Sequence, residues 1–214
     1  MVVLSAVEVR VLGSLVEKEM ATPEYYPLTL NALVNACNQK SNRDPVVSYD
    51  EDTVADAIDC LREKRMAAVI TGAGMRVPKF REVLSETLNL GRRELAILCE
   101  LMVRGPQTVG ELRDRAGRLH PFSDLEEVES ILRHLTEWQP SPLVTRLPRL
   151  PGTKELRHAH LLSGEPPAAQ AAAVVPEATP REGRLAALEA AVRELQEEVR
   201  GLREQLEKFR AQFD

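Results

Sequence analysis

One sequence plan occurs twice in this chain, and this internal repeat is the strongest constraint on how the chain can fold. The segment LSAVEVRVLGSLVEKE (residues 4–19) aligns with LGRRELAILCELMVRG (residues 90–105), and in both the apolar residues recur at the spacing of an amphipathic helix. In the first copy, Ser5 and Glu8 have the spacing of a capping box, which predicts where that helix begins. Each aligned segment therefore predicts the opening helix of a folding unit.

Two further helices are predicted in each copy. PLTLNAL (residues 27–33) matches PQTVGEL (residues 106–112), and Thr29 and Thr108 are the predicted N-caps of these short helices. Further on, VADAIDCL matches VESILRHL, and each segment places its apolar residues on one helical stripe. Upstream of these third helices, two more capping boxes are predicted, formed by Ser48 with Glu51 and by Ser123 with Glu126.

After each third helix, the apolar period changes from about 3.6 to about 2, which predicts a hairpin of two short strands. The first hairpin is AAVITGAGMRVPKF (residues 67–80), and the second is LVTRLPRLPGTKELRHAHLL (residues 143–162). Three helices and a hairpin, repeated in the same order, predict tandem winged helix-turn-helix domains. The predicted fold class is α+β, mainly α with small β-hairpins.

The repeat, together with the composition of the remaining chain, predicts four parts. Residues 1–84 form a first winged-helix domain and residues 85–163 a second one. Residues 164–179 are rich in Pro and Ala without periodicity, which predicts a flexible linker. Residues 180–214 have the apolar pattern of a coiled-coil helix.

The C-terminal segment is predicted to join two copies of the chain. Its apolar residues alternate steps of three and four, so they would form an exposed stripe that needs a partner. The predicted dimerisation residues are Leu185, Leu188, Val192, Leu195, Val199, Leu202, Leu206 and Phe209. A parallel homodimer is the first interpretation, and folding of the segment back onto its own winged helices is the alternative.

Composition and motifs favour a protein without catalytic chemistry. The chain has 214 residues, and its net charge of −5 argues against an indiscriminately basic nucleic-acid binder. No motif for a nucleophile, a metalloprotease, a P-loop or a dinucleotide site is present, so we predict neither an enzyme nor a cofactor. His158 and His160 share one side of a predicted strand, but two ligands do not make a metal site.

The cellular location is predicted from the N-terminus and the cysteines. Charged residues interrupt the apolar N-terminal segment, so we predict neither a signal peptide nor a membrane span. The three cysteines are odd in number and lack CxxC spacing, which favours a reducing cytoplasm.

Basic residues predict a DNA-contacting surface that differs between the two domains. In the first, Asp50, Glu51 and Asp52 begin the third helix, which makes it a poor reader of the major groove. Its candidates for backbone contact are Lys40, Arg43, Arg76 and Lys79. The second domain has the candidates Arg113, Arg115, Arg118, Arg146, Arg149, Lys154 and Arg157. The alternative is that these are ordinary solvated side chains, and that the NQKSNRDP loop hydrogen-bonds its own turn.

Three long stretches resemble the YceH-like family of bacterial proteins. They are YYPLTLNALVNACNQKSNRDPV (residues 25–46), RVPKF (residues 76–80) and RGPQTVGELRDRAGRLHPFSDLEEVE (residues 104–129), and the resemblance covers roughly residues 1–163. It implies two winged helices in tandem and a cytoplasmic location, and it leaves the activity open. We therefore predict a non-enzymatic protein that binds double-stranded DNA, with a regulatory role. The alternative is an adaptor that binds other proteins through its acidic third helices and C-terminal segment.

Overall fold

The structure, a computed structural model, describes residues 3–72, 76–149 and 155–166. These residues belong to one compact unit of mixed α+β class. Within the described ranges there are seven α-helices and two three-stranded antiparallel sheets. The predicted coiled coil and most of the predicted linker lie outside these ranges, as do the tips of both predicted hairpins.

The first half of the unit consists of helices α1 to α4 and one sheet. Its elements are α1 (Ala6–Ala21), a 3₁₀ turn (Pro23–Tyr25), β1 (Leu28–Thr29), α2 (Leu30–Cys37), α3 (Glu51–Glu63), β2 (Ala67–Ile70), β3 (Lys79–Glu82) and α4 (Leu84–Leu88). The strand order is β1-β3-β2. Leu28 pairs with Phe80, so the short strand before α2 lies beside the predicted hairpin.

Apart from the 3₁₀ turn and α4, which have no counterpart, the second half repeats the element order of the first. It comprises α5 (Arg92–Arg104), β4 (Gln107–Thr108), α6 (Val109–Ala116), α7 (Leu125–Thr136), β5 (Val144–Arg146) and β6 (Arg157–His160). Its strand order is β4-β6-β5, which corresponds to that of the first sheet. The sequence predicted the three helices and the hairpin of each half. It did not predict β1 and β4, because two residues are too few to show a strand period.

Side-chain caps fix where α1, α2 and α6 begin. Glu8 N donates to Ser5 Oγ at 3.2 Å and Ser5 N donates to Glu8 Oε2 at 2.7 Å, which confirms the capping box of α1. Thr29 and Thr108 are the N-caps of α2 and α6, as predicted.

The predicted capping boxes of the third helices are wrong. The N-cap of α3 is Asp50, whose Oδ1 accepts from Thr53 N at 2.9 Å. The N-cap of α7 is Asp124, whose Oδ1 accepts from Glu127 N at 2.8 Å. In both helices the first buried valine lies four residues after the N-cap, so burial of the apolar stripe selects the aspartate and not the earlier serine.

Helices α1 and α5 pack closely and join the two halves. A Cβ atom at Gly13 would lie 2.9 Å from Met102 Cβ and 2.9 Å from Val103 Cγ1, so only glycine permits this approach. Cys99 Sγ lies 3.5 Å from Gly13 O at the same crossing. The opening helices of the two repeats therefore form a common core, in which Leu12, Leu15, Ile97, Leu98 and Leu101 are fully buried.

Candidate nucleic-acid interface

The basic residues predicted to contact nucleic acid differ in their exposure and in their internal contacts. Exposed and without an acidic partner among the described residues are Lys40, Arg76, Arg113, Arg146 and Arg149, while Arg118 is exposed but paired. Lys79 is half-buried on β3, and Lys154 lies outside the described residues. Internal contacts engage Arg43, Arg115, Arg118 and Arg157.

Arg43 lies in the interior, although its loop was predicted to face a phosphate backbone. Its side chain is 0% exposed, and Nη2 lies 2.5 Å from Glu17 Oε2. The guanidinium also donates to Ala36 O, from Nη2 at 2.8 Å and from Nε at 3.2 Å. Since these donors point at internal acceptors, we leave Arg43 out of the proposed DNA surface.

Arg43 belongs to a buried ionic cluster, which we define as Glu17, Arg43, Glu100, Arg104 and Arg118. Arg118 Nη2 lies 2.5 Å from Glu17 Oε1 and 2.8 Å from Glu100 Oε1. Arg104 Nε lies 3.2 Å from Glu100 Oε2, although this pair is not aligned for a hydrogen bond. The cluster links α1 and the loop after α2 to α5 and the loop after α6, so it connects the two halves.

The charges of the buried ionic cluster stabilise one another in their ionised forms. Burial alone would raise the pKa of the Glu17 carboxyl, but hydrogen bonds and charges from Arg43 and Arg118 outweigh it and hold that pKa below 4.5. For Arg118, burial opposes the charged form, yet hydrogen bonds to Glu17 and Glu100 raise its pKa. Glu17 and Arg118 therefore keep their charges near neutral pH.

The loop that carries Arg43 also fastens the halves through its backbone. Asp44 N donates to Val103 O of α5 at 3.0 Å. Arg10 Nη2 donates to Pro45 O at 2.7 Å, and Arg104 Nη2 donates to Asn42 Oδ1. The polar residues of this loop therefore hold the interface between the halves, a role that neither interpretation of the sequence included.

Arg115 and Arg157 also make contacts within the second half. Arg115 Nη2 lies 3.3 Å from Glu111 Oε1, and its Nη1 donates to Gln107 Oε1. Arg157 Nη1 donates to Pro106 O at 2.9 Å, while its Nη2 lies 3.7 Å from Glu111 Oε2. These two arginines are partly occupied in holding β4, α6 and β6 together.

An open cleft of about 650 Å³ lies between α6, α7 and the hairpin that contains β5 and β6. Its apolar lining comes from Val109, Leu125, Leu132 and Leu156. Leu125, the first residue of α7, is 48% exposed, whereas Leu132 is buried. The cleft therefore has an apolar floor that opens to solvent beside the start of α7.

The cleft brings together Arg146 and Arg149 with Arg133, which the sequence analysis missed. Within the described residues, none of these three arginines has an acidic partner within 4.0 Å, whereas the arginines of the buried ionic cluster do. The sequence contained a signal for Arg133, because Leu125, Glu129 and Arg133 follow one another at a spacing of four residues. Residues at that spacing share one helix face.

Acidic residues also line the cleft, so its charge is mixed. The carboxylates are those of Glu129, Glu137 and Glu155, which balance the three arginines in number. His158 lies between these charges, and its pKa is lowered by burial and by the neighbouring Arg146. The positive charge is therefore concentrated at the hairpin, where Arg146 and Arg149 lie, and not along α7.

The two histidines of β6 face the same side of the sheet, as the sequence predicted. Arg146 pairs with His158 and Val144 pairs with His160, which places both rings toward the helices. Burial lowers the pKa of His160 to about 4, so this ring is neutral near pH 7. Across the part of the chain that the structure describes, no group of three or more His, Cys, Asp or Glu side chains could hold a metal ion.

The chain matches one known protein family over most of its length. Residues 4–153, which include the first half and the second half as far as β5, match the family described as "Protein of unknown function, DUF480". The chain belongs to this family. A DUF480 relative, the UPF0502 protein of Geobacter sulfurreducens, is 54% identical over 219 residues, covering 100% of this chain and 99% of the relative.

Two other UPF0502 relatives match to different extents. The Pelobacter propionicus protein is 53% identical over 218 residues, which is 99% of each chain. The Opitutus terrae protein is 61% identical over 162 residues, which is 76% of this chain and 70% of the relative. These matches agree with the resemblance to YceH-like proteins seen in the sequence. Among the described helices of this DUF480 member, none is both long enough and apolar enough to cross a membrane.

Proposed function

We propose that this DUF480 protein is a non-enzymatic protein that binds double-stranded DNA through its second half. The single observation that carries the proposal is the pair of exposed hairpin arginines, Arg146 and Arg149, beside the open cleft. Guanidinium groups without an acidic partner can bind phosphate oxygens. In a basic surface of this kind, phosphate contacts position the protein, and they carry little base information.

The element order supports interpreting each half as a winged helix-turn-helix. Helix, strand, helix, helix, strand and strand follow one another in both halves, with the last two strands forming the wing. In such a domain the third helix would enter the major groove. Here α7 begins with exposed Leu125 and Glu126, and Glu129 follows one turn later, so we assign the leading contact to the wing and not to α7.

The first half supports a weaker contact. The N-cap Asp50 and the first turn of α3 are acidic, and Asp56 and Asp59 are exposed further along the helix. Phosphates would be repelled from this helix, so Lys40 and the hairpin residues Arg76 and Lys79 remain for backbone contact. This asymmetry predicts one DNA-binding half and one half that contributes little.

A duplex titration tests the proposal. The probe is a DNA duplex of about 30 base pairs, roughly three helical turns. Reversing the charge of Arg146 and Arg149 to Glu in the full chain should weaken binding to such duplexes to a similar extent whatever their sequence. Loss of two phosphate contacts should also lower the magnitude of the slope of log K against log salt by about 2. Fluorescence anisotropy at several salt concentrations measures both quantities.

The matched control reverses the same number of charges in the first half, as Arg76→Glu with Lys79→Glu. This variant should lose less affinity, because the acidic α3 lies in the same half. If both double variants lose affinity equally, the effect belongs to net charge and not to the second hairpin. If the unmodified protein has no duplex affinity at low salt, DNA binding is excluded and a protein-binding role replaces it.

The acidic surface of α3 favours that second candidate, an adaptor that binds other proteins. Glu51, Asp52, Asp56 and Asp59 are exposed on this helix, and only Asp59 has a basic partner, Arg62 at 2.6 Å, among the described residues. Capture of partners from a native lysate with and without nuclease distinguishes the two roles. Material that disappears after nuclease treatment supports DNA binding, and protein that remains supports the adaptor.

Homodimerisation through residues 185–209 lies outside the described residues and stays a prediction from the heptad pattern.

A further inference from the structure

Two carboxyl groups meet where the last turn of α1 faces the end of β3. Glu82, the last residue of β3, is 2% exposed, and Glu19 of α1 is half-buried. Helix α1 packs against β3, and hydrogen bonding between the Glu19 and Glu82 side chains is, after burial, a cause of the raised pKa of Glu19. Ionised carboxylates only accept hydrogen bonds, so a bond between these two requires a proton on one of them.

The surroundings assign that proton to Glu19. The Glu82 carboxylate accepts from Ser85 N at 3.0 Å and from Ser85 Oγ at 2.5 Å, so its two oxygens are supplied with donors. Glu19 Oε2 is buried and has no hydrogen-bond partner among the described residues. A carboxyl group without donors in a buried site favours its neutral form.

The charged groups around the pair do not neutralise two carboxylates. Arg81 Nη1 on β3 lies 2.6 Å from Glu86 Oε1 of α4, so its charge is already paired. Arg92, at the start of α5, is exposed to solvent and therefore screened. Tyr26, before β1, accepts from Glu82 N at 2.5 Å, and burial raises the pKa of its hydroxyl.

Two effects raise the affinity of Glu19 for a proton. Burial and the adjacent Glu82 carboxyl together raise the pKa of Glu19 to about 7, against a partial opposing effect of Arg81 and Arg92. The negative end of the α1 helix dipole acts in the same direction, since Glu19 lies in the last turn of that helix.

We propose that Glu19 and Glu82 share a single proton, and that this proton is a pH-sensitive latch between α1 and the first sheet. With the proton present, α1, the Tyr26 segment and β3 are held together by hydrogen bonds. After its loss, two negative charges face each other in a poorly solvated site and push α1 away from β3. Because β3 begins at Lys79, the latch also controls how firmly the first hairpin is anchored.

Linkage fixes the sign of the expected pH dependence. The folded pKa of Glu19, about 7, lies above its ordinary value of 4.5. The stabilisation that the Glu19 proton gives to the folded state is therefore fully present below pH 4.5, and it is lost as the pH rises through about 7. Other groups in the protein also titrate, so the comparison must be made with a variant that lacks only the Glu19 proton.

The test compares urea unfolding of the full chain with that of Glu19→Gln between about pH 5 and 8. The amide of Glu19→Gln can still donate to Glu82, but it cannot ionise. The ratio of the unfolding constants, wild type over variant, should rise up to about tenfold per pH unit below pH 7 and then level off, as expected for one linked proton. Glu24→Gln, which removes an exposed carboxyl from the nearby 3₁₀ turn, should leave the ratio independent of pH.

A carboxyl titration followed by carbon NMR separates sharing from simple burial. One resonance should titrate near neutral pH in the wild type and be absent in Glu19→Gln. Glu82→Gln should move its midpoint to lower pH, because the neighbouring charge is gone. A pH-independent stability ratio, the absence of a carboxyl that titrates near neutrality, or an unchanged midpoint in Glu82→Gln would each overturn the shared proton.

Discussion

Arginines and glutamates have opposite roles in the buried ionic cluster and in the open cleft. In the cluster, Arg43 and Glu17 are 0% and 2% exposed, and Glu17 pairs with Arg43 and Arg118 from distant parts of the chain. In the cleft, Arg146 and Arg149 are exposed, and within the described ranges they have no acidic partner. The same residue types therefore hold the fold together where they are desolvated and remain available to a ligand where they are solvated.

The largest expected effect comes from breaking the most buried pair of the cluster. Arg43→Ala leaves the Glu17 carboxylate in the interior with only Arg118 as its counterion. Removing one partner of a buried ion pair costs about 3–5 kcal/mol, so urea unfolding monitored by circular dichroism should show a loss of that order. If the midpoint is unchanged, the cluster does not hold the two halves together.

A smaller loss is expected for Arg118→Ala, because the Arg118 side chain is 33% exposed. Glu17 keeps Arg43 and Glu100 keeps Arg104, so we expect a loss of about 1–3 kcal/mol, typical of a buried acceptor that loses one donor. Arg113→Ala is the matched control, since Arg113 is an exposed arginine at the end of α6. Equal losses in the two variants would remove the distinction between paired and solvated arginines.

The smallest effect on stability is expected in the cleft. Arg146→Ala with Arg149→Ala should change the free energy of unfolding by no more than about 0.5 kcal/mol, as for ordinary surface substitutions. The same denaturation experiment measures it, and it also verifies that loss of duplex binding in the charge-reversed variant is not loss of folding. A loss above about 1 kcal/mol would mean that these arginines support the hairpin.

Local signals in the sequence determined the helices and hairpins of both halves. The apolar period located the helices, and the capping residues Ser5, Thr29 and Thr108 act as predicted. These features depend on residues within a few positions of one another, so the chain specifies them without knowledge of the remaining fold. The aspartate caps of α3 and α7 were missed because burial of a stripe decides between two capping residues that lie within two positions of each other.

The tertiary structure alone decided which charges are available for function. Arg43 and Arg146 look alike in the sequence, yet one is paired with Glu17, 26 residues away, and the other lines the cleft. Arg118 reaches Glu17 over 101 residues. The free energy of a charge depends on its solvation and its partners, and long-range packing sets both. Residue type and spacing therefore determined the elements of this protein, while long-range packing decided what its charged residues can do.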